Sequence, residues 1–331
     1  MKNINTTTAD FNMLKELIEK KSPLQYVTSL YDEPELVDLL KKLRKVNYRV
    51  FLGEYNFEQA LVTKQEYIKQ MGYSTSINTN SNTLQILALS DLHLGSIYDT
   101  PWFLDAVFNL CKERNIKYIV DLGDLTEGEG YIEDGCRSKE YFKFDRTVES
   151  ELNYLNMNVP YDKDIKHILL YGNHDLYSPD AVSKDISKLM KEMFGRKDLI
   201  VCGIEDAILP VNNDSIHLFH HSFPDIVKPY LNKLETENPS ENQIILAGHS
   251  HISRNDSGAG YDIECIPTLS RVDHHLDGFE FFTGFVILNI EFNELGQFKD
   301  VYVERYRFDS RYTKPTCFHV HHVEVTRLRK K

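Results

Sequence analysis

Five short apolar runs in this chain each end in side chains of the kind that ligate metals. Asp91-Leu92-His93 follows Leu84–Leu89, and Gly123-Asp124 follows Lys117–Leu122. Gly172-Asn173-His174-Asp175 follows Ile165–Tyr171, His220-His221 follows Ser215–Phe219, and Gly248-His249-Ser250-His251 follows Ile244–Ala247. Short apolar runs bounded by polar turns read as strands. Helical patterns lie between them, one from Pro101 to Arg114 with Pro at the first turn and one near Phe142–Met157. Strands with intervening helices give an α/β class. Further strands are expected at Leu199–Cys202, Phe282–Ile290 and Val301–Arg307, and the late ones, lacking helices, suggest a second sheet. In open α/β sheets a site is built at the carboxyl ends of the strands. Two Asp, one Asn and four or more His therefore converge on one rim.

Carboxylate, imidazole and amide oxygen together suit a divalent transition metal such as Mn, Fe, Ni or Zn better than calcium. The donors outnumber those one tetrahedral ion needs, and a carboxylate bridging two ions uses them all. Two ions about 3.5–4 Å apart suit phosphoester hydrolysis, because together they polarise the phosphoryl oxygens and activate water. Taken singly, Asp-x-His and Gly-Asp are ordinary loop features. Gly-Asn-His-Asp and Gly-His-x-His directly after apolar strands have few structural reasons. The order of all five carries the inference.

The series DxH, GD, GNHD, H and GHxH resembles the calcineurin-like metallophosphoesterase superfamily over roughly residues 84–310. The resemblance implies a four-layered α/β/β/α sandwich with a dinuclear centre at the sheet edge. It places Asp91, His93 and His251 on one metal and Asn173, His220 and His249 on the other, with Asp124 bridging. His174 matches the superfamily's catalytic histidine, and Asp175 is expected to orient its ring. The doublet His220-His221 offers two candidates, of which the first is favoured, as in related sequences with such a doublet. Protein Ser/Thr phosphatases carry an acidic-arginine-glycine continuation after GD and the form GNHE. Here Gly123-Asp124-Leu125-Thr126-Glu127-Gly128 has no arginine, and the third motif ends in Asp. Purple acid phosphatases place a tyrosine where this chain has Glu127, which argues against a tyrosinate-iron site. Ser90-Asp91-Leu92-His93-Leu94-Gly95-Ser96 resembles the SDxHLG of double-strand-break repair nucleases and archaeal DNA polymerase small subunits. It is also similar to the diacylglucosamine pyrophosphatases of lipid A synthesis, which act at a membrane. The chain shows no basic amphipathic helix to serve as an anchor, so no membrane partner is expected.

Residues 1–71 read as a separate, mostly helical module. Helices are expected from Asp10, over a short amphipathic stretch around Leu24–Leu30, and from about Glu35, the last with Leu36, Leu39, Leu40 and Leu43 inward. Two short strands, Tyr48–Leu52 and Ala60–Val62, would follow. Three helices and a hairpin resemble a winged helix; a helical extension that packs on the body or mediates dimers is the competing reading. Residues 72–83, polar and nearly uncharged, read as a linker before the catalytic domain at 84–310, with a strand and basic tail at 311–331.

Charge sharpens this division. Lys and Arg number 11 against 10 Asp and Glu over residues 1–83, but 27 against 40 over 84–331. Most of the body would repel a polyanion, so such a substrate needs positive charge supplied locally, by metal or by the amino-terminal module. Its third helix carries Lys41, Lys42, Arg44 and Lys45, with Arg49 just beyond. Five scattered cysteines without a CxxC pair fit reduced thiols in a cytoplasmic protein, and no apolar run reaches the ~20 residues of a membrane span. His274-His275, His319, His321 and His322 read as a solvated loop and an exposed edge strand, and Arg327–Lys331 as a solvated tail. The expected function is a DNA-nuclease-like phosphodiesterase using two divalent ions, manganese foremost, with nucleic acid as partner, DNA before RNA. A small-molecule phosphoesterase is the runner-up. A non-catalytic DNA-binding or assembly protein of the same fold is a third reading.

Overall fold

The computed structural model describes residues 74–127, 148–172, 174–176, 186–220, 243–251, 253–258, 260–270, 283–308 and 322–329, with residues 12, 230–232 and 236. The expected amino-terminal module thus lies outside the described residues except at position 12. The chain divides into Met1–Tyr73 with Pro179–Asp185, and Ser74–Ser178 with Ile186–Lys331. The second unit carries the motifs.

Its strands are β1 (Thr83–Leu89), β2 (Tyr118–Asp121), β3 (Lys166–Tyr171), β4 (Leu199–Ile204), β5 (Asp206–Val211) and β6 (Asp214–Phe219). They continue with β7 (Gln243–Ala247), β8 (Arg254–Gly258), β9 (Tyr261–Cys265), β10 (Thr283–Phe292), β11 (Phe298–Phe308) and β12 (His322–Arg329). Helices α1 (Pro101–Arg114), α2 (Val148–Asn158) and α3 (Ile186–Phe194) separate the first four strands. Those four pair in parallel, as crossover helices require. The expected start of α2 at Phe142 lies outside the described residues.

The late strands do not form a second sheet. All twelve follow one order, β12-β11-β10-β1-β2-β3-β4-β5-β6-β7-β9-β8. β10 lies antiparallel against β1, pairing Thr83 with Glu291 through Ala88 with Val286. Its ten residues are almost all buried, so it takes an interior place beside β1 rather than an edge. The basic carboxyl end is not simply a tail either. Arg327, Leu328 and Arg329 belong to β12, where Leu328 is buried against the core, and His322 opens the same strand.

β4 and β5 meet at one residue pair, Ile204 with Asp206, around Glu205 at φ 60°. One core cluster draws side chains from both sides of this corner. Ile86, Val120 and Ile168 share it with Leu209, Leu218 and Leu246. On the opposite face of the parallel strands, α1 buries Phe103, Leu104, Val107, Phe108 and Cys111.

The segment read as a linker is tied to this body. Ile77 is fully buried, its N–H donates to the Pro210 carbonyl at 2.9 Å, and its carbonyl accepts from Asn212 N–H at 2.9 Å. One isoleucine in a polar run is enough, since burying it is worth about 1.5–3 kcal/mol. Among the described residues no helix is long and apolar enough to cross a membrane.

Candidate metal centre

Alternation along a strand sends successive side chains to opposite faces, so a site at strand ends must break that alternation. The chain does so with left-handed backbone. Asp91, His93, Asp124, His249 and His251 have φ of 53°, 46°, 54°, 65° and 55°. Only Asn115, Glu205 and Asn212 share this conformation among the other described non-glycine residues. Each such residue costs roughly 1–2 kcal/mol, so five at one rim mark a place where geometry outweighs local stability. Gly123 (φ 102°) makes the turn before Asp124, and a Cβ there would lie 2.6 Å from His220 Nδ1.

The loops brace one another. Asp91 N–H donates to the Gly123 carbonyl at 2.9 Å, and His93 N–H to the Asp124 carbonyl at 2.9 Å. Thr268 Oγ1 donates to the Asp91 carbonyl at 2.7 Å. One Asp91 oxygen, Oδ2, accepts from Ser90 Oγ at 2.6 Å and His249 N–H at 2.9 Å. One Asp124 oxygen, Oδ1, accepts from His174 N–H at 2.8 Å.

The other two carboxylate oxygens are buried without such a bond. Asp91 Oδ1 and Asp124 Oδ2 instead face imidazole nitrogens. His220 Nε2 is 3.1 Å from Asp124 Oδ2, His251 Nε2 is 3.4 Å from Asp91 Oδ1, and His93 Nε2 is 3.9–4.0 Å from both carboxylates. The Nε2 atoms of His93 and His251 approach to 3.3 Å. Buried oxygens and imidazole nitrogens aimed at common points are what a cation completes. Ligand atoms of Asp91, Asp124, His220 and His249 lie within 4.8 Å of one another, as do those of Asp91, His93 and His251. These are groups that could hold divalent metal; Asp91 belongs to both, and Asp124 belongs to the first and, with His93 and His174, to a third.

The second nitrogen of each ring is anchored elsewhere. His220 Nδ1 lies 2.6 Å from the Leu122 carbonyl, which fixes the proton there and turns Nε2 to the site. His93 Nδ1 lies 2.8 Å from Glu127 Oε2, a carboxylate–histidine pair of the type that orients metal ligands. Motif reading noticed Glu127 only as the residue in a tyrosine's place; its buried position (4 % exposed) beside His93 gives it a role.

The charges polarise one another strongly. Burial disfavours the His93 cation, but Glu127 and the two aspartates overrule it and raise His93 to about 9. Burial likewise opposes His220 and is overruled by Asp124, which raises it to about 10. Burial pushes the Asp124 carboxyl up, while His220 and His174 hold it well below the usual carboxylate range.

His174 sits beside this group, its ring edge-on to His93 with centroids 4.6 Å apart. Its Nδ1 is 2.9 Å from the Glu127 carbonyl, so a proton it gives or takes is at Nε2. Burial depresses its pKa, against the pull of Asp124. The expectation that Asp175 orients this ring is corrected. One Asp175 oxygen accepts from Thr126 N–H at 2.9 Å and Thr126 Oγ1 at 3.2 Å, and the other from Gly172 N–H at 2.9 Å. A buried carboxylate is drawn to backbone donors, and here it ties the GD loop to the GNHD loop. Burial raises it to about 7. Asn173 and His221 lie outside the described residues, as do His274, His275, His319 and His321.

Residues 84–265 match the calcineurin-like phosphoesterases. No curated protein matches the chain. Among solved structures it is similar to Vps29 of Entamoeba histolytica complexed with zinc, at 13% identity and a TM-score of 0.38, over 74% of this chain and 98% of that one. An archaeal phosphodiesterase matches at 12% identity and 0.38, over 68% and 100% of the two chains. The E. coli phosphoesterase YfcE matches at 13% and 0.36, over 66% and 98%.

Proposed function

Because the chain belongs to the calcineurin-like phosphoesterase family, we propose that it is a two-metal phosphodiesterase acting on nucleic acid, DNA before RNA. The observation that carries the metal half is the pair of buried, unsatisfied oxygens on Asp91 and Asp124, ringed by imidazole nitrogens. Asp91, His93 and His251 would hold one divalent ion, and Asn173, His220 and His249 the other, with Asp124 shared and manganese the foremost candidate. Bound there, the ions supply charge for the phosphoryl oxygens and lower the pKa of water. The chain does the rest. Glu127 and the Leu122 carbonyl fix the tautomers of His93 and His220. His174, with Nδ1–H engaged by the Glu127 carbonyl, presents Nε2 to the reaction. There it takes up a proton, and in that protonated form, which burial opposes and Asp124 and Glu127 favour, it would hand the proton to the leaving oxygen.

The nucleic-acid half rests on the Ser90–Ser96 signature and on the basic cluster at Lys41, Lys42, Arg44, Lys45 and Arg49 in an acidic protein. A winged-helix module at 1–71 belongs to the same reading. So does the four-layered sandwich, which is supported by the core cluster common to both sides of the β4–β5 corner. The excess of acidic residues over 84–331 favours the second reading, a phosphoesterase for nucleotides, cyclic nucleotides or lipid-linked phosphates.

One panel tests both readings. With manganese added, turnover is measured on linear and circular single- and double-stranded DNA, RNA, bis-nitrophenyl phosphate and cyclic nucleotides. Cleavage of DNA well above the small esters is expected. Turnover confined to small esters overturns the nucleic-acid half, and none on any substrate overturns the enzyme.

A further inference from the structure

Behind the centre, on the α1 side of the sheet, lies a buried pair that the proposed chemistry does not use. Asp121 ends β2 and His167 stands on β3; both are completely buried. The register pairs Ile119 with His167 and Asp121 with Leu169, so His167 is the diagonal neighbour of Asp121 on one face. His167 Nε2 is 3.4 Å from Asp121 Oδ2, and the His167 ring lies edge-on to Phe108 of α1 at 6.3 Å. Neither imidazole nitrogen nor Asp121 Oδ2 has a hydrogen bond of ordinary geometry. Apolar residues at both positions would stabilise the fold at least as well, because buried polar groups without good hydrogen bonds rarely recover their desolvation cost.

The other Asp121 oxygen explains the pair. Oδ1 accepts from Gly123 N–H at 3.1 Å. That bond reaches the middle of the turn on which the site hangs. The Leu122 carbonyl meets His220 Nδ1, the Gly123 carbonyl takes Asp91 N–H, and Asp124 follows with its left-handed backbone. Gly123 itself has no side chain with which to hold its φ of 102°.

We propose that Asp121, braced by His167, is a positioning residue: its carboxylate fixes the Gly123 turn and so sets Asp124, Asp91 and His220 for cation binding. The inference rests on the metal reading above, and its test separates the two. Mn²⁺ affinity is measured by calorimetry on the full chain, with circular dichroism confirming the fold. Hydrogen exchange at the Gly123 amide is followed in metal-free protein. Asp121→Ala is expected to weaken Mn²⁺ about 10–100-fold, the usual range for a residue that supports ligands. Asp121→Asn keeps an acceptor for Gly123 N–H and should restore affinity to within about threefold of wild type. In metal-free Asp121→Ala, the Gly123 amide should exchange about tenfold faster while Ile119 and Val120 of β2 are unchanged.

A merely structural residue would lower the melting temperature and leave the affinity of the folded protein alone. Should Asp121→Ala not fold, His167→Leu, which fits the apolar side against Phe108, decides by the same measurements, with about tenfold weaker Mn²⁺ expected. Wild-type affinity in either folded variant overturns the proposal. Wild-type protein that binds no Mn²⁺ overturns the metal reading, and the exchange rate of Gly123 still decides for or against Asp121.

Discussion

Two groups of buried charge in this protein behave in opposite ways. Arg305 on β11 and Glu264 on β9 form a closed pair, with Nε donating to Oε1 at 2.6 Å and Nη2 to Oε2 at 2.5 Å. Arg196 and Asp198 close similarly, at 2.7 and 2.5 Å. At the rim, Asp91 and Asp124 each keep one buried oxygen that no hydrogen bond satisfies. Charges answered by partners within the chain, as Arg196 is by Asp198 and the Val159 carbonyl, hold the scaffold together. A set incomplete by itself is built for something not encoded in the chain. Burial alone therefore does not separate scaffold from site; the state of the acceptor oxygens does.

The sharpest way to break this contrast is to remove the shared carboxylate. Asp124→Asn should leave the fold intact by circular dichroism while bound metal is lost and turnover falls more than about 10⁴-fold, since several kcal/mol of transition-state stabilisation goes with the ions. Retention of two equivalents of metal by elemental analysis would place the ions elsewhere.

His174→Ala should split binding from chemistry. Calorimetry should show Mn²⁺ affinity near wild type, and kcat should drop by about 10²–10³-fold, within the range for a general acid. A near-normal rate removes His174 from the mechanism.

Glu127→Gln comes next, with about a tenfold loss of Mn²⁺ affinity expected from a ligand-orienting carboxylate. It also carries a pH signature in metal-free protein. His93 is raised from 6.5 to about 9, so its protonation adds stability that is complete below 6.5 and lost as pH climbs through 9. The melting temperature of wild type should exceed that of Glu127→Gln most near pH 6, and the gap should close by about pH 10. A gap that widens with pH would contradict the pairing.

The closed pair should affect the site least. Arg305→Met strands Glu264 and should cost about 3–5 kcal/mol by denaturant titration, much of it recovered by adding Glu264→Leu. Mn²⁺ affinity of the folded double variant should match wild type. A change there would mean that scaffold and site are not separate.

The rim was legible in sequence because strand ends are marked twice, by the end of an apolar run and by the ligand types that follow. Leu84–Leu89 and Ile244–Ala247 needed only one residue added at the start, and Pro101–Arg114 was read to its ends. β5 was missed because a proline inside so short a run argues against a strand, although Pro210 is exposed between buried Leu209 and Val211, and β8, Arg-Asn-Asp-Ser-Gly, because an edge strand needs no apolar face. The joining of β10 to β1 depends on long-range pairing that no local pattern reports. Within the site, Asp175 and Glu127 were placed by motif, but their partners were not. Which donor a buried carboxylate meets is settled by loops from distant strands, here Thr126 and Gly172 for one and His93 for the other.

The five left-handed residues at the rim bear on how such a chain changes over generations. Glycine is the easiest residue in that conformation, so while the centre is in use selection must hold Asp91, His93, Asp124, His249 and His251 against substitutions that would relax the backbone. Once a descendant no longer needs the centre, that restraint disappears, and the stability gained favours drift toward glycine or asparagine at these same positions. Retired copies should therefore lose their ligands first where the chain is bent hardest. His220, with an ordinary backbone, should be among the last to go.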